Sequence, residues 1–150
     1  EIKLIVSVLV RSFSALLFNG LFFFIFLYLF AVIGVTLFEI PDKTMLNENQ
    51  IQLHDDYTAI VSDHHPDPYG TLHESMFTLF RVLTADDWTD VRYNLIHASK
   101  LNLINVSQSL ITIYHILWVI ISSFLLLNLL VGAILNNYNV IMDEMKNAKD

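Results

Sequence analysis

Hydrophobic and polar positions divide this chain into two long apolar runs separated by a polar middle. From Leu21 to Phe38 every residue is apolar, aromatic, Gly or Thr. At about 1.5 Å of rise per residue, such a run is about 27 Å long, close to the hydrocarbon thickness of a bilayer. A second run, Leu110 to Leu135, is longer and carries the scattered polar residues His115, Ser122, Ser123 and Asn128. Two membrane-spanning helices are the minimal reading. Ahead of the first run, Lys3, Ser7, Arg11 and Ser14 recur along one helical face, while Ile2, Ile5, Leu9, Phe13 and Leu16 follow another. That pattern predicts an amphipathic helix over residues 1–18, suited to the inner membrane interface.

Residues 39–70 hold all three prolines and seven acids against a single Lys, which predicts an irregular aqueous loop. After it, Thr71 to Leu83 is helical in character but too short to cross a membrane, and a second short segment follows Trp88 to about residue 99. A short helix, a sharp turn and another short helix between two spans describe a re-entrant hairpin. Non-helical backbone at membrane depth is tolerated only where protein buries it or water fills the cavity. The turn is therefore where function is expected. The predicted fold is an all-α membrane protein, two transmembrane helices flanking a re-entrant hairpin of two short helices. Its expected divisions are a linker helix (1–18), an outer spanning helix (19–38) and an extracellular acidic loop (39–70). The re-entrant hairpin (71–99), an inner helix with a cytoplasmic extension (100–145) and a tail (146–150) follow. Two spans place both termini on one side, and Lys3, Arg11, Lys146 and Lys149 mark it as cytoplasmic.

Composition agrees with a membrane setting, since 55% of residues are hydrophobic, above the usual share in soluble domains. Fifteen acidic against eight basic residues argue against a nucleic-acid partner and for cations. With no cysteine, the chain has neither a disulfide framework nor a thiolate metal site. It opens Glu1-Ile2-Lys3, without the zones of a signal peptide, and reads as a fragment. No apolar run carries Arg or Lys at every third position, so a voltage sensor is expected upstream, outside these residues. His54, His64, His65 and His73 fit no metal-ligand spacing and read as a solvated loop. Asn105-Val106-Ser107 matches the short glycosylation acceptor pattern. No phosphate-binding loop, nucleophile elbow or zinc-protease motif is present. Adjacent Asp86 and Asp87 need not converge on one proton as an aspartyl protease requires, so the chain is read as a non-enzyme.

The turn runs Thr84-Ala85-Asp86-Asp87-Trp88-Thr89-Asp90. If four copies surround an axis, each Asp becomes a ring of four carboxylates, a standard route to cation selectivity. A hard divalent ion such as Ca2+ takes several oxygen ligands in flexible geometry, and its attraction to fixed negative charge exceeds that of Na+ in proportion to valence. Stacked levels also let one ion repel the next forward. Thr84 and Ala85 would offer backbone carbonyls below the carboxylates. Trp88, with one indole donor, is assigned to scaffold. The plainer role for these aspartates, above all Asp90, is capping or charging the first turn of a helix.

The string Phe77-Thr78-Leu79-Phe80-Arg81-Val82-Leu83-Thr84-Ala85-Asp86-Asp87-Trp88 resembles the pore helix and filter of the voltage-gated sodium and calcium channel superfamily, especially its single-repeat bacterial members. Leu127-Asn128-Leu129-Leu130-Val131-Gly132 is similar to that family's inner helix, and Ala31-Val32-Ile33-Gly34-Val35-Thr36-Leu37-Phe38 to the end of its outer helix. The bacterial members carry Thr-x-Glu-x-Trp at the filter; here Asp86 replaces the Glu, and Asp87 and Asp90 add two acids. Sperm-associated cation channels also show Thr-x-Asp-x-Trp. The resemblance implies the tetrameric ion-channel pore fold, with pore helix, filter and second pore helix over residues 71–99, as a homotetramer in the lipid of the plasma membrane, with permeant Ca2+ and no resident cofactor. An Na+-selective or non-selective cation pore of the same fold is the alternative, ahead of an intramembrane enzyme or a structural scaffold. One repeat of a longer four-repeat chain is the other possible origin. It also carries the inner gate onto Ile134 and Tyr138, where an apolar ring closes a pore by dewetting.

Overall fold

The computed structural model describes residues 2–61, 67–86 and 88–149 and is helical throughout its regular elements. Helix α1 spans Ile2–Phe38, α2 Glu48–Ile60, α3 Leu72–Leu83, α4 Trp88–Lys100 and α5 Gln108–Asn147, with a 3-10 turn at Lys43–Met45. Two of these, α1 and α5, are long and apolar enough to cross a membrane. Only 22% of the most apolar window of α1 and 11% of that of α5 is buried. Core helices of soluble proteins are mostly covered, so these apolar surfaces fit lipid or another protein chain.

Three local features depart from the sequence pattern, each for a visible reason. No break separates residues 1–18 from 19–38; α1 is continuous across that boundary, as its mixed polar face interrupts neither the apolar spacing nor the backbone ladder. Inside the expected irregular loop, α2 is nucleated by a capping box. The Gln50 N–H donates to Asn47 Oδ1 (2.9 Å) and the Asn47 N–H to Gln50 Oε1 (3.1 Å), satisfying two otherwise orphaned donors. The inner helix begins at Gln108 rather than near residue 100, because Asn102 adopts the left-handed conformation (φ 56°) and ends α4.

The chain divides into two compact units. The first combines Glu1–Phe26 with Ser122–Asp150, and the second is Leu27–Ile121. In the first, Ser12 is buried and donates to Asn137 Oδ1. A Cβ on Gly132 would stand 3.2 Å from Asn19 Nδ2, so the small residue makes room for that amide. Ile5, Leu9, Phe13, Phe124, Leu127 and Leu130 remain exposed there. The second unit holds the well-covered core, in which Phe38, Tyr57, Tyr69, Leu79, Leu95, Ile111, His115 and Trp118 are each at most 1% exposed.

Candidate filter turn and its supports

Helix α3 leads into the turn that the sequence singles out. Thr71 caps it, accepting the Glu74 N–H at 3.2 Å. Ser75, Thr78, Leu79 and Val82, spaced along one face, are buried. Three hydrogen bonds fix that face to three different partners. Ser75 Oγ donates to the Ala31 carbonyl of α1 (2.9 Å), Thr78 Oγ1 to the Pro68 carbonyl (2.6 Å), and Trp118 Nε1 of α5 to the Leu79 carbonyl (2.8 Å). Buried polar groups require such partners, and here the partners are the flanking segments themselves. A helix held at three points along one face has little freedom to slide or rotate.

Behind α3 lies an aromatic cluster of Phe30, Phe38, Tyr69, Tyr114, His115 and Trp118, with ring centroids 4.9–6.0 Å apart in the closest pairs. His115 Nδ1 lies 2.7 Å from the Ile111 carbonyl, which only accepts, so Nδ1 carries the proton. Nε2 of the neutral ring then accepts from the Tyr69 hydroxyl at 2.8 Å. The Tyr114 hydroxyl donates to the Phe30 carbonyl at 2.6 Å. Gly34 lets these rings close in: a Cβ there would lie 2.6 Å from Tyr69 Cδ1 and 2.7 Å from the Tyr114 hydroxyl.

The turn itself is a Schellman closure. Thr84 is the C-cap of α3; the Ala85 N–H donates to the Val82 carbonyl (3.1 Å) and the Asp86 N–H to the Arg81 carbonyl (3.0 Å). Ala85 has φ 60°, the left-handed conformation this motif requires and glycine usually supplies. Thr84, Ala85 and Asp86 are exposed. Because the turn lies at the carboxyl end of α3, the negative end of that helix dipole adds to the Asp86 charge in attracting a cation.

Beyond the turn, Trp88 is half-buried as the first residue of α4, and Asp90 is exposed in the first turn of that helix, where its charge suits the dipole. Asp87 lies outside the described residues. Val91, Leu95 and Ala98 bury one face of α4, and Arg92 Nε donates to Thr112 Oγ1 of α5 at 2.9 Å. Thus α3, the turn and α4 form a helix pair braced against α1 and α5, with Asp86 and Asp90 both at the surface. In the other unit, Ile134 and Tyr138 lie one turn apart on α5 and are 60% and 59% exposed. Among the described residues no three His, Asp or Glu side chains gather as a metal site. His64 and His65 lie outside the described residues.

Two features escape the sequence pattern. The first is the hydrogen-bonded set Tyr69, His115 and Trp118, whose trace in sequence is only a His inside an apolar run. The second is Asp67, beside a cavity of about 400 Å³ that Glu39, Asp42, Lys43, His54 and Tyr57 also line. Its Oδ1 is buried without a hydrogen-bond partner. Burial raises the Asp67 carboxyl to about 6, with Glu39 and Glu74 adding to the rise and the Ile40 and Tyr69 N–H groups opposing it.

Two spanning-length apolar helices, with a helix pair and an acidic turn between them in the chain, fit the fold of an ion-channel protein. The chain belongs to the ion transport protein family, which matches residues 1–146. That is a transport family and not an enzyme family. Human cation channel sperm-associated protein 3 is 30% identical over 115 residues, covering 77% of this chain and 22% of the relative. The mouse protein of the same name is 29% identical over 112 residues, covering 75% and 21%. The chain therefore spans about a fifth of the length of these relatives. No solved structure matches it.

Proposed function

We propose that this chain is the pore module of a cation-selective channel, in which four copies surround a conduction axis and residues 84–90 form the selectivity filter. The observation that carries the reading is the contrast at the end of α3. One face is buried and hydrogen-bonded to three partners, while Asp86 is displayed at its carboxyl end. Membership of an ion transport family and likeness to proteins named cation channels support it.

In this reading Asp86, Asp87 and Asp90 are stacked rings that favour Ca2+ over Na+, because a divalent ion gains twice as much from the same fixed charge. Thr84 and Ala85 contribute carbonyl oxygens, and Trp88 braces the turn. The exposed apolar faces of α1 and α5 meet lipid and neighbouring copies in the plasma membrane. Ile134 and Tyr138 close the inner mouth, both termini face the cytoplasm, and a voltage-sensing domain precedes the pore in the whole protein, as in the single-repeat bacterial channels. The test is cation flux into liposomes carrying the purified full-length protein, with subunit number read by cross-linking. Ca2+ flux through a four-copy assembly supports the proposal; Na+ flux alone corrects the ion. A protein that stays monomeric, or an intact tetramer with its gate opened and no cation flux, refutes it.

A further inference from the structure

The filter's supports include residues that no ion touches. Trp118 and His115 sit on α5, both fully buried, facing away from any solvent-exposed surface of the chain. Each holds a different part of the segment that delivers the turn. The His115 ring fixes the Tyr69 hydroxyl, and the Pro68 carbonyl beside it receives Thr78 of α3. Trp118 acts nearer the filter, because its indole N–H reaches the Leu79 carbonyl, five positions before Thr84.

The acceptor is what makes the Trp118 bond informative. Past Leu79, the α3 carbonyls are engaged in closing the helix: Phe80 accepts the Thr84 N–H, Arg81 the Asp86 N–H and the Thr84 hydroxyl, and Val82 the Ala85 N–H. These bonds hold the turn to the helix but not to its surroundings. On the α3 side the indole bond ties this segment to α5, as Arg92 and Thr112 do on the α4 side, and it grips backbone rather than a side chain that could rotate. A shift of the helix axis at Leu79 is carried through the closed turn to Asp86. Charge selectivity depends steeply on how closely carboxylates approach a common ion, since their attraction falls with distance in a partly desolvated site.

We infer that Trp118 is a positioning residue for the filter: its indole N–H sets the placement of Asp86 relative to the ion path and so sets selectivity, with His115 and Tyr69 as a second anchor. This rests on the channel reading and specifies which residues outside the filter govern it. Replacing the N–H without changing volume separates positioning from packing. Benzothienylalanine, in which sulfur stands in place of the indole N–H, is introduced at position 118 of the full-length channel, and the Ca2+/Na+ permeability ratio is measured from bi-ionic reversal potentials. Loss of one buried hydrogen bond predicts a drop of about fivefold in that ratio.

The Ile111→Val variant, a core change on the same helix that leaves the α3 bonds intact, keeps the wild-type ratio. In an Asp86→Asn background the benzothienylalanine substitution loses its effect, because the carboxylate it positions is gone. An unchanged ratio on removing the N–H overturns the inference, as does an equal drop in Ile111→Val or an undiminished effect beside Asp86→Asn. The channel reading stands or falls separately, since a wild-type protein without cation current fails before any position-118 variant is compared.

Discussion

Helices α3 and α4 close with the same pattern, each sending two successive N–H groups back to its last turn. In α3 the left-handed residue is Ala85, and in α4 it is Asn102, whose N–H donates to the Ser99 carbonyl while that of Leu103 reaches Ala98. Asparagine visits this conformation readily, whereas a Cβ without a compensating polar group costs about 1–2 kcal/mol there. The strained version stands at the candidate filter and the relaxed one in an ordinary connection. Strained backbone persists where its surroundings over-determine it, and α3 is the helix fixed by Ser75, Thr78 and Trp118. The scaffold thus holds the candidate filter turn in a shape its own sequence does not favour.

The comparison breaks most severely at the support. Gly34→Ala drives a methyl into Tyr69 and Tyr114, and overpacking of this kind destabilises by about 1–3 kcal/mol. Thermal unfolding of the detergent-solubilised protein should show the largest drop of the set, and an unchanged midpoint would mean that the aromatic cluster is loosely packed. Tyr69→Phe leaves His115 Nε2 buried without a donor, which predicts a loss of about 1–2 kcal/mol by the same measurement.

Acidification supplies a milder probe of the junction before α3. The Asp67 carboxyl is raised from 3.8 to about 6, so between these values the folded protein binds more protons than the unfolded chain. Stability therefore rises as pH falls through about 6 towards 4, and ionisation above about 6 removes that contribution. Remaining solvent access limits its size to about 1 kcal/mol or less. Asp67→Asn should flatten this part of the pH–stability profile, and a variant that keeps the full wild-type dependence would assign it to another group. The smallest effects sharpen the comparison itself. Ala85→Gly should stabilise by up to about 1 kcal/mol, whereas Asn102→Ala should destabilise by a similar or smaller amount. Changes of the same sign at both sites would show that the two closures do not differ in strain.

Much of this organisation was legible in sequence because the strongest signals are physical extremes. The long apolar runs could only be covered by lipid or protein, and α1 and α5 fall on them. The short helical segment from residue 71 becomes α3, with a buried face and a cap at Thr71. The acidic turn follows from two helices with no room for a longer loop. What sequence hid was long-range or conformational. Nothing near Trp118 indicates that its indole meets Leu79, 39 positions earlier. Nothing in Thr-Ala-Asp announces a left-handed Ala85, since the usual sign of that conformation is glycine. Helix α2 rests on the Asn47–Gln50 capping box, too short a signature to stand out among the surrounding acids and prolines. Asp67 looked like one more solvated acid until folding buried its Oδ1.

The central claim is that carboxylates on the exposed turn choose the ion, while the buried flank of α3 only holds them. Bi-ionic reversal potentials of the full-length channel with Ca2+ on one side and Na+ on the other test it directly, before and after Asp86→Asn and Asp90→Asn. Removing one ring of charge should lower the Ca2+/Na+ permeability ratio by about tenfold or more at Asp86 and by less at Asp90, with thermal stability within about 0.5 kcal/mol of wild type. Wild-type ratios in both variants would contradict the account.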